Sequence, residues 1–294
     1  MIAILVVVIL ILLFVYYLFN KQKTLTTGIR DGQKYHAVDS SSMNLDESKS
    51  VSQMAVSIWV YVSDWDYASA HDRIILYMGP QSADDGNGGQ ANTLTTNQKL
   101  TVNEANNNHK HSSLVKASNI LSSAASSTQS TIVLWLDENT PTLKLGIANN
   151  ATNMFIDNNG DDISIRNFPL QKWVSVTFSI YQNVLDLYLN GKLIRSVIDD
   201  NVDIDMSQDV LVSLGNPFWV DTLQDDEVTI SNVTTGFKGY TSRLSYYSEA
   251  LSPKQAYNIY KSGPGTSYLG DILGDRGINI NFMDGEKVTK TFSL

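Results

Sequence analysis

Residues 173–198 read WVSVTFSIYQNVLDLYLNGKLIRSVI, and this stretch decides the fold class. Its apolar side chains alternate with other residues in two runs: Val174, Val176, Phe178 and Ile180, then Leu185, Leu187 and Leu189. Alternation of period two is typical of β-strands that bury one face. The pair Asn190-Gly191 favours a type I′ hairpin, because both central residues of that turn need positive φ. The stretch therefore predicts three consecutive antiparallel strands.

Shorter strand-like runs lie on both sides of this meander. They cover residues 54–62, 74–79, 131–136, 143–147, 210–214, 227–230 and 239–247. One helix is predicted after the N-terminal segment, at Ser252–Lys261, because Ser252 can cap it, Pro253 suits its first position and Gly263 ends it. Many short strands with one short helix predict an all-β fold, in which two antiparallel sheets pack as a sandwich.

Several motifs between residues 51 and 265 resemble the laminin-G-like branch of the concanavalin A-like lectin/glucanase superfamily. They are Ser57-Ile-Trp59-Val60, the strand from Trp173 to Phe178, the turn Leu187-Tyr-Leu-Asn-Gly-Lys192, Phe237-Lys-Gly239, Tyr246-Tyr247, and Ala250-Leu-Ser followed by the predicted helix. The resemblance implies that the two antiparallel sheets form a jelly-roll sandwich.

The N-terminus carries an uncharged apolar run, Ile2–Phe19, of about 18 residues without Gly or Pro. As a helix it would extend roughly 27 Å, enough to cross a hydrocarbon core of about 30 Å. A cleaved signal peptide is disfavoured, since the run lacks a basic start and a small-residue cleavage site. The sequence predicts a single transmembrane helix that contacts membrane lipid.

The orientation of this anchor is open to two interpretations. Lys21, Lys23 and Arg30 follow the span and no Lys or Arg precedes it, so the positive-inside rule predicts a cytosol-facing C-terminal part. The sequons at Asn150 and Asn232 would instead be glycosylated if that part were lumenal. We expect the cytosolic orientation.

The chain divides into four predicted segments. Residues 1–20 form the anchor, 21–50 a polar, Ser-rich stalk with one short strand at Tyr35–Val38, and 51–265 the sandwich. Within the sandwich, residues 80–130 are an Asn-, Ser- and Gly-rich insertion, which we expect to be exposed and mobile because it offers little apolar area to bury. Residues 266–294 form a tail whose alternating Ile278, Ile280 and Phe282 predict an edge strand.

Composition and motif spacing exclude several function classes. The net charge of −9 and the lack of a basic run disfavour nucleic acid as a partner, and the absence of cysteine excludes disulfides and thiol chemistry. The glucanases of the superfamily that the chain resembles carry a Glu-x-Asp-x-x-Glu strand, and no such spacing occurs in this sequence. We therefore expect no enzymatic activity and no cofactor.

Two sets of residues are candidate ligand sites. Trp65 beside Asp64, and Trp219 near Asp221, lie in predicted loops and place an aromatic ring beside a polar side chain, the combination that sugar binding usually needs. Asp157, Asn159 and Asp161 supply the oxygen ligands that calcium prefers, but the stretch lacks the Gly and Glu positions of an EF-hand. A calcium site of less regular geometry than an EF-hand is an alternative that the sequence allows at these three residues.

These features predict a membrane-anchored structural or interaction protein whose sandwich contacts other proteins. The anchor at residue 2, the Asn-rich, Cys-free chain and the laminin-G-like motifs together resemble virion membrane proteins of large DNA viruses. That resemblance implies a link between an internal membrane and a capsid. The alternative is a membrane-anchored carbohydrate-binding lectin.

Overall fold

The computed structural model describes residues 22–43, 45, 52–67, 72–84, 90–93, 113–150, 163–198, 204–206, 209–220, 236–265, 279–284 and 287–293. In these ranges no helix combines the length and the apolar character needed to cross a membrane. The predicted anchor, Ile2–Phe19, lies outside the described residues, as does the predicted strand at 227–230.

The described elements are mostly short strands. In chain order these are β1 (Gln22–Thr24), β2 (Ile29–Asp31), β3 (His36–Val38), β4 (Gln53–Asp64), β5 (Arg73–Gly79), β6 (Ala83–Asp84), β7 (Gln90–Thr93), β8 (Ser113–Leu114), β9 (Thr131–Leu136), β10 (Thr142–Ala148), β11 (Ser164–Arg166), β12 (Trp173–Tyr181), β13 (Val184–Leu189), β14 (Lys192–Ile198), β15 (Leu211–Leu214), β16 (Phe218–Val220), β17 (Lys238–Tyr247), β18 (Asn279–Asp284) and β19 (Lys287–Ser293). The described α-helices are α1 (Ala117–Ala124) and α2 (Pro253–Lys261).

Sheet A has seven strands in the order β1-β17-β4-β12-β13-β14, and β2 also pairs with β17. All of its pairings are antiparallel. The predicted meander is confirmed as β12, β13 and β14, and the turn residues Asn190 and Gly191 have φ of 51° and 72°. All the strand motifs of the superfamily resemblance lie in this sheet, on β4, β12, β13 and β17.

Sheet B has six strands in the order β11-β10-β9-β5-β15-β3, again antiparallel throughout. One continuous hydrophobic core joins the inner faces of the two sheets, with Val176 and Phe178 from sheet A and Leu134 and Leu145 from sheet B all essentially buried. The predicted all-β fold of two packed antiparallel sheets is therefore confirmed.

A third layer covers the outer face of sheet B, and it corrects the prediction for residues 80–130. Part of this insertion forms α1 and the strands β6, β7 and β8. Strands β7 and β8 pair with β16, and β6 pairs with β7, in a small four-stranded sheet. Helix α1 buries Ala117, Ile120, Leu121 and Ala124 against sheet B. These positions have the i, i+3, i+4, i+7 spacing of an amphipathic helix. The segment is thus not a uniformly exposed insertion, and α1 is a second helix that was not predicted.

The polar stalk predicted for residues 21–50 is also wrong over residues 22–43. Strands β1 and β2 add to β17 of sheet A, and the strand predicted at Tyr35–Val38 exists as β3, which adds to β15 at the edge of sheet B. Met43 is buried in the common core. Backbone pairing with strands far away in sequence holds this polar segment in the sandwich.

The tail strand predicted around residues 278–282 exists as β18, which pairs with β19. The two form a separate two-stranded sheet. Within the described residues, neither strand extends an edge of sheet A or sheet B, so the predicted edge strand is corrected to a hairpin.

Candidate functional site

A row of aromatic rings, one exposed and two half-buried, crosses one end of the outer face of sheet A. Alternation along β4 points Ile58, Val60 and Val62 into the core, so Trp59 and Tyr61 face outward. Tyr61 pairs directly with Trp173 of β12 on one side and with Tyr240 of β17 on the other. We call Trp173, Tyr61 and Tyr240 the aromatic row.

The three rings of the aromatic row contact one another across the strands. The ring centroids of Tyr61 and Trp173 are 5.7 Å apart, and those of Tyr61 and Tyr240 are 6.2 Å apart. Tyr240 is 47% exposed, and the other two rings are half-buried. With strands about 4.8 Å apart, the Cα atoms of the row span about 10 Å. The row forms a shallow apolar platform open to solvent.

Charged pairs border this platform. Lys238 Nζ lies 3.2 Å from a carboxylate oxygen of Asp64, two residues from Tyr240 along β17. On the β2 side, Asp31 pairs with Tyr240 in register, and its carboxylate is 3.8 Å from Lys34 Nζ. Hydrogen bonds, first of all from Lys238, lower the pKa of Asp64 below its usual value. The platform therefore has a polar rim with both donors and acceptors.

Helix α2 covers the middle of the same sheet face. Its N-terminus is fixed by a capping box between Ser252 and Gln255, and Pro253 occupies the first turn. The ring of Tyr260 stacks on Trp59, with centroids 5.9 Å apart and an interplanar angle of 21°. The helix passes so close to the β13–β14 turn that only a glycine fits at position 191. Trp59 is consequently buried, although it faces away from the core.

A cavity of about 250 Å³ lies between α2 and sheet A. Its lining combines polar and apolar side chains: Gln22, Ser57, Trp59, Arg243, Ser245, Tyr247, Asn258, Ile259 and Ser262. Arg243 has φ of 47° and donates hydrogen bonds to the carbonyl oxygens of Ser262 and Gly263 at 3.2 and 2.9 Å. A cation at these carbonyls complements the negative end of the helix. We assign Arg243 to holding α2 on the sheet.

Two of the predicted glycan-binding residues lie at the end of β4: Asp64 is its last residue, and Trp65 follows directly. The guanidinium carbon of Arg73 is 4.0 Å from the centroid of the Trp65 ring, and Trp65 packs against the core. Buried Arg73 also donates hydrogen bonds to the carbonyl oxygens of Trp65, Tyr67 and Asp137. Arg73 thus joins the segment after β4 to Asp137 and the Trp65 ring packs on it, whereas Asp64 contributes to the rim of the aromatic row.

Trp219, the other predicted aromatic ligand, belongs to a different sheet from Asp64. Trp219 lies in β16, not in the predicted loop, and pairs with Asn92 and Leu114 in the small sheet outside sheet B. Asp221, the calcium candidates Asp157, Asn159 and Asp161, and the sequon residue Asn232 lie outside the described residues. The sequon residue Asn150 is exposed at the end of β10.

The described part of the chain contains no group of three or more His, Asp or Glu side chains arranged to hold a metal ion. Asp72 has a structural role instead: its carboxylate accepts a hydrogen bond from the Ala117 amide at 3.0 Å. This bond caps the N-terminus of α1, whose own N-cap residue, Lys116, makes no side-chain cap. Burial raises the pKa of Asp72.

The aromatic row was not predicted, although each of its residues is visible in the sequence. Tyr61 and Trp173 stand at the outward-facing positions of strands that were predicted correctly, and Tyr240 stands near the start of a third. What the sequence did not contain was the pairing of β4 with both β12 and β17, which puts the three rings in one register. That pairing is non-local, and local periodicity carries no information about it.

The fold and site define a β-sandwich with an exposed aromatic platform. No protein-family model matches the chain, and no curated protein matches it. Among solved structures it is similar to the receptor binding domain of botulinum neurotoxin D, with 13% identity and a TM-score of 0.42 over 82% of this chain and 43% of that chain.

Two further solved structures are similar at the same level. The botulinum neurotoxin serotype D ligand binding domain in complex with N-acetylneuraminic acid has 13% identity and a TM-score of 0.41, over 81% of this chain and 47% of that chain. Domain 4 of AbnA, a GH43 extracellular arabinanase from Geobacillus stearothermophilus in complex with arabinotriose, has 15% identity and a TM-score of 0.37, over 79% of this chain and 75% of that chain. The chain spans less than half of the two neurotoxin chains. Similarity this low does not inform function, which rests on the geometry above.

Proposed function

We propose that this chain is a single-pass membrane protein without enzymatic activity, and that its aromatic row binds a glycan chain. The observation that carries the proposal is the row itself, with three rings on three adjacent strands of one open sheet face. Sugar rings present apolar C–H faces that stack on aromatic rings, and ligand sites combine such apolar contact with a few polar groups. Contiguous apolar surface with a polar rim is a common feature of interaction sites.

The shape of the site favours an extended oligosaccharide over a single small molecule. The row runs across the strands, so a linear chain of sugar units laid along it would meet one ring after another. The ring spacings of 5.7 and 6.2 Å are supported by direct cross-strand pairing, which fixes the platform before a ligand arrives. Asp64 and Lys238 at the rim can exchange hydrogen bonds with sugar hydroxyls.

Membrane attachment in this proposal comes from the apolar run Ile2–Phe19, and the lysines after it favour a cytosol-facing sandwich. Glycan binding requires instead that the sandwich meet glycans, in a lumen, outside the cell or on a particle surface. The side of the membrane on which the sandwich lies is therefore the first property to measure. Glycosylation of exposed Asn150, or protection of the domain from protease in intact microsomes, supports lumenal placement.

A protein partner is the second candidate function, and a cytosolic sandwich would favour it. Strand β14 lies at the edge of sheet A, where the exposed side chains of Leu193 and Ile194, 48% and 50% accessible, offer an apolar contact. In this version the protein links a membrane to other structural proteins, as the resemblance to virion membrane proteins implies. Mass spectrometry of purified particles tests that location.

A glycan array probed with the full chain in detergent tests the lead proposal. We expect binding to an extended oligosaccharide that falls about tenfold or more in Trp173→Ala and in Tyr240→Ala, equivalent to about 1.4 kcal/mol per ring. Tyr257→Ala is the matched control, because Tyr257 and Tyr240 are both 47% exposed but Tyr257 lies on α2. Unchanged binding in both row variants, or an array without any signal, would reject glycan binding by the aromatic row and favour the second candidate function, binding of a protein partner.

A further inference from the structure

The first strand of the sandwich begins three residues after the predicted membrane span. The apolar run ends at Phe19 and β1 begins at Gln22. Three fully extended residues reach about 11 Å at most. Because residues 22–43 belong to the sheets rather than to a stalk, the sandwich has no spacer that would hold it away from the lipid.

The pairing of β1 identifies which end of sheet A this is. Gln22 pairs with Tyr247, Tyr247 pairs with Ala55, and Ala55 pairs with Ser179. The chain enters β1 from the side on which β12 ends, at Tyr181. The same end holds the start of β13 and the end of β14, since Tyr181 pairs with Val184 and Val184 pairs with Ile198. We call Tyr181, Gln182, Val184 and Ile198 the anchor-side end.

The anchor-side end carries the two most exposed large hydrophobic side chains among the described residues. Ile198 is 60% exposed and Tyr181 is 54% exposed. Both stand in one cross-strand row with half-buried Val184 between them, so their Cα atoms are about 10 Å apart. A Tyr and an aliphatic side chain at one edge suit the interface between headgroups and acyl chains.

We propose that the anchor-side end rests on the bilayer surface, with Tyr181 and Ile198 in the headgroup region. This rests on the proposed function, because it needs the anchor at Ile2–Phe19. The acidic pair Asp199-Asp200 follows Ile198 in sequence, so the contact is apolar and needs no anionic lipid. Docking in this way directs the aromatic row away from the membrane, since Trp173 lies eight residues along β12 from Tyr181, about 27 Å.

The Cys-free chain permits a direct test with one introduced thiol at a time. The full chain is reconstituted into phosphatidylcholine nanodiscs with a fluorophore on Gln182→Cys, and quenching by a nitroxide at the lipid headgroup is measured. Gln171→Cys is the matched control: both glutamines are exposed and have similar positive φ, 53° and 56°, but Gln171 lies beside Trp173 at the other end. We expect strong quenching at 182 and little at 171.

Each result decides the proposal. The double variant Tyr181→Ser, Ile198→Ser should reduce quenching at 182 to the level seen at 171, whereas Leu193→Ser, Ile194→Ser should not. Equal weak quenching at 182 and 171 would mean that the sandwich stands clear of the lipid, and would overturn the docking alone. Stronger quenching at 171 would overturn both the docking and the glycan platform. Failure of the unlabelled full chain to float with vesicles would reject the anchor and the docking with it.

Discussion

Replacing Gly191 with alanine should loosen helix α2 from sheet A. Gly191 has φ of 72°, and a Cβ atom there would lie 2.7 Å from the Tyr257 Cα and 3.1 Å from the Tyr260 Cβ. The left-handed backbone costs an alanine about 1–2 kcal/mol. Displacing the helix adds about 1–3 kcal/mol, as other overpacked sites do. We expect a loss of about 2–5 kcal/mol in the free energy of unfolding.

Gly28→Ala separates these two costs. Gly28 has φ of 76°, but a Cβ atom added there would have no other atom within 4 Å, so only the backbone cost applies. Thermal unfolding of the full chain in detergent, followed by circular dichroism, measures both variants. At about 2–4 °C per kcal/mol for a domain of this size, Gly191→Ala should lower the Tm by roughly 4–20 °C and Gly28→Ala by about 2–8 °C. Tryptophan fluorescence should change only in Gly191→Ala, through the Trp59–Tyr260 stack. Equal losses in the two variants, with unchanged fluorescence, would refute the close packing of α2.

Three further predictions concern the stability of the sandwich. Phe178→Ala should cost about 3–5 kcal/mol in urea unfolding, because the ring is fully buried between the sheets; a loss under about 1 kcal/mol would contradict its place in the core. Ser252→Ala should cost about 1 kcal/mol by removing the capping box of α2, and Ser252→Asp should restore most of it if capping is the cause. Burial raises the pKa of Tyr246 and Tyr247 to about 12, above the value in the unfolded chain, so the stability they contribute is complete below about pH 10 and is lost as the pH rises to about 12. Phenolate absorbance that rises for all tyrosines near pH 10, before unfolding, would disprove this.

The sequence predicted the meander well because its signals are local. Alternation along β12 and β13 and the positive-φ pair at Asn190-Gly191 do not depend on distant residues. The same holds for α2, whose cap, first-turn proline and terminating Gly263 are adjacent in sequence. Local patterns of this kind were sufficient to predict the fold class and to identify which side chains of each long strand face the core.

The parts that escaped prediction depend on distant partners. Strands β1 and β2 have three residues each, too few to show a period, and they are strands because β17 pairs with them. The spacing of Ile120 and Leu121 in α1 was obscured by the Ser- and Asn-rich composition around it. In the aromatic row, a bulge in β17 between Ser242 and Ser245 shifts the register of its pairing with β4. The position of Tyr240 opposite Tyr61 therefore could not be predicted from the local sequence.

The pairing of β1 with β17 also fixes when the domain can fold. Thr24 pairs with Ser245, which follows it by 221 positions. At about 5–20 residues per second, a ribosome needs roughly 10–45 s to synthesise that interval. Until β17 emerges, β1 has no partner and one edge of β4 is open to wrong pairing. An N-terminal span would enter the bilayer during this interval, so the sandwich would complete its sheet on the membrane surface, after insertion rather than before it.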